Sequence, residues 1–278
     1  MRGHSVKGPK MIRRDFLKIG AASVAVAALG LSTACSDDAG TGTETSGAAP
    51  SGGASGGELV MGLITAPMSF DPSVAEWGNR LPYYQAVYDT LLVATPEATI
   101  EPWLATAFEY DEAQTTLTLT LRDDVTFSDG EKLTAEAMAL SMNRFKTGTG
   151  PDAGYMANVD TITAEGESTV IVKFTAPDPA FLNYLTRTAG LVASPAAVEN
   201  PNLATEPVGS GPYTLDVANT VTNTSYTFVK RDGYWNPDVQ HYDTIVMRIF
   251  EDTTAMLNAL TEAIRLVGSE LGAKLKTR

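Results

Sequence analysis

A change of hydrophobic period between residues 117 and 145 constrains this chain more than any other feature. Leu117, Leu119 and Leu121 alternate with Thr116, Thr118 and Thr120, the period of two expected of a strand with one buried face. Ser128-Asp129-Gly130 follows, and a glycine in such a turn is free to take positive φ. Thr134 is placed to N-cap a helix and Glu136 falls in its positively polarised first turn. Met138, Leu140, Met142 and Phe145 then offer apolar contacts. Strand, turn and helix in this order point to a mixed α/β fold.

Composition and charge narrow the function. The 278 residues are 44% hydrophobic and 19% charged, enough for one large domain or two smaller ones with a sizeable core. The net charge of −13 is unevenly spread: residues 1–34 hold six of the 20 basic residues and one of the 33 acidic ones, leaving −18 on the remainder. Such a surface disfavours nucleic acid or anionic lipid as a main partner. Cys35 is the single cysteine, so an intrachain disulfide is excluded. His4 and His241 are the only histidines, which removes most zinc-enzyme and serine-hydrolase readings. Asp123-Asp124 offers two carboxylates, but neighbours at a strand end face opposite ways, and a solvated turn fits them better. No catalytic residue, metal site or cofactor is expected.

The first 57 residues read as an address. Arg13-Arg14-Asp15-Phe16-Leu17-Lys18 precedes an apolar run over residues 19–31, too short for an ordinary membrane span and suited to an export signal. Arg13, Arg14, Phe16 and Leu17 resemble a twin-arginine signal, with Ile12 where serine or threonine is usual. The start is Met1 or Met11. Ser32-Thr33-Ala34 leading into Cys35 resembles a lipoprotein cleavage box, although its leucine, Leu31, lies four residues before the cysteine rather than three. Ordinary cleavage after Ala34 is the alternative. Residues 36–57 form a Gly/Ser/Thr/Ala-rich tract with the composition of a flexible tether, which favours lipidation of Cys35.

Beyond the tether, residues 59–64 read as a buried strand and residues 67–73 as a loop containing Phe70-Asp71-Pro72. Residues 81–92 carry a helical apolar stripe. Strands are expected over 159–163, 170–174, 224–230 and 244–250, with a short helix over 179–185 and another from 252 to about 260. Gly209-Ser210-Gly211 lacks the lysine of a phosphate loop, and rigid proline-flanked glycines at a chain crossover are the better reading.

Five segments resemble, in order, the bacterial solute-binding proteins of oligopeptide-, dipeptide- and nickel-type ABC importers. They are Tyr88-Asp89-Thr90-Leu91-Leu92, Pro102-Trp103-Leu104-Ala105, the run from Arg122 through Val125, Phe127, Asp129 and Gly130 to Thr134-Ala135-Glu136, Pro207-Val208-Gly209-Ser210-Gly211-Pro212-Tyr213, and Tyr234-Trp235-Asn236-Pro237. The resemblance implies a periplasmic-binding-protein-like fold of two lobes, of which residues 58–260 supply most of the first. Residues 1–34 are then the signal, 35–57 the lipidated cysteine and tether, and 261–278 an atypical tail. The family continues where this sequence gives Thr261-Glu262-Ala263, so a truncated or frameshifted chain is expected, with a natural short variant ending in a capping helix as the alternative.

The resemblance further implies capture of a peptide or similar small solute outside the membrane, without catalysis, and delivery to permease and ATPase subunits. A membrane-tethered receptor for signalling is an alternative, and a secreted enzyme a more distant one. Trp77, Asn79, Tyr83 and Tyr84, beside the Asp-Pro loop, are the candidate ligand contacts, with ordinary core or rim packing as their alternative.

Overall fold

The computed structural model describes residues 56–276, with side chains as far as Ser269. Arg13, Arg14, Phe16, Leu17 and Cys35 lie outside the described residues, as does nearly all of the expected tether. Two four-stranded sheets organise the rest, and the chain leaves the first for the second and then returns. The first has strand order β1-β10-β9-β8, with β1 Glu58–Leu63, β8 Tyr213–Leu215, β9 Ser225–Lys230 and β10 Thr244–Ile249. β1 runs parallel to β10, and the other pairs are antiparallel. Helix α1 (Leu81–Val87) and the hairpin of β2 (Leu92–Ala94) and β3 (Ile100–Pro102) lead to the second sheet. Its order is β4-β5-β7-β6, all antiparallel, with β4 Ala105–Tyr110, β5 Thr116–Leu121, β6 Val159–Glu165 and β7 Thr169–Phe174. Helix α2 (Ala135–Lys146) joins β5 to β6. Short helices α3 (Phe181–Tyr184) and α4 (Pro195–Val198) precede β8, and α5 (Thr253–Lys276) follows β10.

The period switch at residues 117–145 produces the second sheet's core. Leu117, Leu119 and Leu121 point inward beside Val170, Val172 and Phe174 of β7, while the threonines take the other face. Gly130 turns the chain at φ +91°, and the Thr134 side chain accepts from the Ala137 N–H at 3.1 Å, as an N-cap should. Met138, Met142 and Phe145 then bury against the sheet. Leu140 does not: it is exposed, because it lies about 200° around the helix from Met138.

Three other expectations need correction. Residues 59–64 form a half-exposed edge strand rather than a buried one, since β1 has a partner on one side only among the described residues. The apolar stripe over 81–92 is not one helix: α1 ends at Val87, Tyr88 is extended at φ −128°, and Leu92 opens β2. The helix after β10 does not stop near residue 260 but runs to Lys276, through a stretch free of proline and rich in alanine and leucine.

Candidate functional site

Because β1 and β10 are parallel, both carboxyl ends open on the same side of the first sheet, the side on which open α/β sheets place their ligands. The loop leaving β1 there is fastened at several points. Arg80 Nε donates to the Ala66 carbonyl at 2.8 Å, Tyr83 Oη to Thr65 at 3.1 Å, and Tyr88 Oη to Phe70 at 2.8 Å. Asp71 N-caps the 3-10 turn Pro72–Val74, accepting from the Ser73 N–H at 2.9 Å, and receives the Arg144 guanidinium at 2.5 Å from the second sheet's helix. Burial raises the Asp71 pKa, but the bonds from Arg144 and Ser73 outweigh it and hold the carboxyl below its ordinary value.

Farther along the same connection Trp77 is half-buried, and its backbone N–H donates to Asp152 Oδ2 at 2.9 Å; Thr188 Oγ1 donates to the same oxygen at 2.9 Å. Asn79 is exposed, and so are Ile64 and Met68 on the loop. These are the solvent-facing groups of the connection between β1 and α1.

Tyr83 and Tyr84 lie elsewhere. Both are fully buried: the Tyr83 ring meets Tyr226 edge-on at 5.3 Å, Tyr84 meets Phe70 at 6.5 Å, and Tyr84 Oη accepts from the Glu76 N–H. Burial pushes the Tyr84 hydroxyl up to about 12 and raises Tyr83 as well. The structure therefore separates the four candidate contacts into a surface pair, Trp77 and Asn79, and a core pair that supports the loop from beneath. Aromatic residues one helical turn from a loop look alike in sequence, and only the facing Phe70 and Tyr226 decide which are covered.

A second constellation was not anticipated. Asp89, buried between the two sheets, accepts from Trp103 Nε1 at 2.9 Å and Tyr234 Oη at 2.8 Å on Oδ1, and from Trp235 Nε1 at 3.1 Å on Oδ2. Its own N–H donates to Ser210 Oγ at 3.3 Å. Desolvation raises its pKa against the pull of these donors. Arg122 lies over the Trp235 ring at 4.0 Å, held from behind by Asp124 at 2.6 Å. Gly209 passes so close to α1 that a Cβ would sit 2.1 Å from the Val87 carbonyl oxygen. All the donors facing the Asp89 carboxylate are spoken for, and the group is a structural fastening. Asp123 and Asp124 are exposed. Among the described residues, no three His, Cys, Asp or Glu side chains converge as a metal ion would require.

Comparison with known proteins agrees with this architecture. The profile of the bacterial extracellular solute-binding proteins, family 5 Middle, matches residues 99–273, and that of the twin-arginine translocation pathway signal sequence matches residues 11–30. The glutathione-binding protein GsiB of Escherichia coli O1:K1 is 30% identical over 200 residues, covering 70% of this chain and 38% of GsiB. The Escherichia coli murein tripeptide binding protein MppA superposes with a TM-score of 0.66 at 23% identity, over 73% of this chain and 44% of MppA. NikZ from Campylobacter jejuni, solved with Ni(L-His), gives 0.66 at 19% identity, over 74% and 42%. The chain belongs to the family 5 bacterial extracellular solute-binding proteins, which are binding proteins and not enzymes. Its signal sequence indicates export. It spans between a third and two-fifths of the length of the curated relatives it matches.

Proposed function

We propose that this chain supplies the first lobe of a substrate-binding lipoprotein of an ABC importer, which captures peptides or similar small solutes outside the membrane and passes them to a permease. What supports this is the fastened loop after β1 at the carboxyl ends of a parallel strand pair, with Trp77 half-buried and Asn79 exposed farther along the same connection. Peptides are the favoured class because polar anchors beside an indole recognise main-chain groups without fixing side chains. GsiB and MppA, named for glutathione and a murein tripeptide, support that choice, and NikZ keeps metal–amino-acid complexes within it. In the whole protein a second lobe closes over the solute, and binding favours the closed state. Residues 1–34 act as the signal, residues 58–260 as the lobe, and Cys35 carries the lipid anchor through the tether.

Titration calorimetry on the whole two-lobed protein with glutathione, a murein-type tripeptide and Ni(L-His) tests the reading. Saturable binding of one of them, weakened about tenfold in Trp77→Ala, is expected. Binding unchanged in that variant removes Trp77 from the contact surface, and no binding by any of the three defeats the solute class. For the anchor, Cys35→Ala should move the chain from the membrane to the soluble fraction, and an unaltered distribution refutes lipidation.

A further inference from the structure

The connection between β1 and α1 is seated on the segment that leaves α2. Arg144, in the last turn of α2, pairs with Asp71 at 2.5 Å. The chain then runs through Gly148 and Gly150 directly against the 3-10 turn Pro72–Val74. A Cβ on Gly148 would lie 2.2 Å from the Ser73 carbonyl oxygen, and one on Gly150 2.8 Å from the Val74 Cα. Neither glycine takes positive φ, so the close approach of the two backbones, and not a special conformation, is what excludes a side chain there. Asp152 completes the row. Its side chain does not cap the 3-10 turn Ala153–Met156 that it precedes, and accepts instead from the Trp77 N–H at 2.9 Å. The fully buried Thr188 donates to the same oxygen and so holds it in place. Asp71, Ser73, Val74 and Trp77 thus meet Arg144, Gly148, Gly150 and Asp152 in the same order along both segments.

We infer that this seat is the positioning device of the solute site: Arg144, Gly148, Gly150 and Asp152 set where Trp77 stands and, through it, the affinity for solute. The inference rests on the reading of Trp77 as a solute contact. A connection with neither strand nor α-helix of its own loses conformational entropy if a solute has to order it, and one that is already seated has less to lose. Solute meets the seated form with the full affinity of its contacts, and any loss of seating lowers the apparent affinity by the fraction that remains seated. The second sheet, which supplies none of the candidate contacts, therefore tunes binding by position alone.

Titration calorimetry on the whole two-lobed protein with glutathione, a murein-type tripeptide and Ni(L-His) tests the seat. Gly148→Ala, whose methyl must push Ser73 away, should weaken binding of the solute that the wild type takes by about tenfold. Gly154→Ala should leave binding unchanged, since nothing lies within 4 Å of a Cβ at that position. Asp152→Ala should also weaken binding, and Asp152→Asn, which keeps an oxygen acceptor for the Trp77 N–H, should restore it. In a Trp77→Ala background Gly148→Ala should add no further loss, because both act through one contact. Amide hydrogen exchange on this chain reads the seat without solute. The Val74 and Ala75 amides, bonded to the Asp71 and Pro72 carbonyls, should exchange about tenfold faster in Asp152→Ala while those of β5 and β7 keep their rates. A wild type that takes none of the three solutes defeats the solute reading, and unaltered exchange at Val74 and Ala75 defeats the seat itself. A wild type that binds, beside a Gly148→Ala protein that binds as tightly, overturns the inference. So does an Asp152→Asn protein no better than Asp152→Ala, or a further tenfold loss in the Trp77→Ala background.

Discussion

Replacing Asp89 tests whether the two sheets are held together by one carboxylate. Asp89→Ala strips the acceptor from Trp103 Nε1, Tyr234 Oη and Trp235 Nε1 together. Hydrogen bonds to a charged acceptor contribute about 1.5–3 kcal/mol each. The carboxylate's burial, which lifts its pKa, opposes their sum, and both half-buried indoles regain some water. A net loss of roughly 3–5 kcal/mol follows, the range found when one partner of a buried charged contact is removed. Asp89→Asn keeps one oxygen, enough for two of the donors, but turns its amide N–H toward the remaining donor, so it should lose about 2 kcal/mol. Urea unfolding followed by tryptophan fluorescence reads the effect where it occurs, since Trp103 and Trp235 are two of the three tryptophans. The sign with pH is also fixed. A carboxyl whose folded pKa is raised above its unfolded value of about 3.8 holds its proton better in the folded state. Its contribution to stability therefore falls as pH rises from the unfolded value through the folded one. Asp89→Asn should abolish that decline. If Asp89→Asn and the wild type unfold at the same urea concentration with the same pH profile, the carboxylate is not the fastening described.

Gly209→Ala should lower stability by about 3 kcal/mol, because its Cβ would fall 2.1 Å from the Val87 carbonyl and 2.3 Å from Tyr88 Cδ1; a wild-type urea midpoint would contradict the close approach. Asp71, whose pKa is lowered in the folded protein, stabilises above its unfolded value near 3.8, and that stability is lost as pH falls through the folded value. Melting temperatures between about pH 6 and pH 2 should therefore drop less steeply in Asp71→Asn, and parallel curves would show that the Arg144 pair contributes nothing.

Legibility in the sequence followed the range of the interactions. The strand, turn and cap at residues 116–146 were readable because every deciding contact is local: alternate leucines, a glycine at positive φ, and a threonine three residues from the amide it caps. The stripe over 81–92 misled because its spacing fits a helix throughout. What ends α1 at Val87 is the need to bring Asp89 to Trp103, Tyr234 and Trp235, up to 146 residues away. No window along the chain contains that instruction. Tyr83 and Tyr84 were indistinguishable from Trp77 for the same reason, since their covers, Phe70 and Tyr226, arrive from other segments.

The roles of the family-like segments explain why membership was readable when the solute was not. Tyr88-Asp89, Trp103, Ser210 and Tyr234-Trp235 come from four of those segments and meet at one carboxylate, while Arg122, from the remaining one, caps the outer face of Trp235. Each is held to its residue type by a buried donor, an acceptor or a backbone approach that tolerates little else. A shared fold therefore imposes the same residues whatever is bound. Trp77 and Asn79 belong to none of the five segments, and neither side chain takes part in that assembly. Nothing in that assembly fixes their side chains, so the residues that make the family legible carry no reading of the solute.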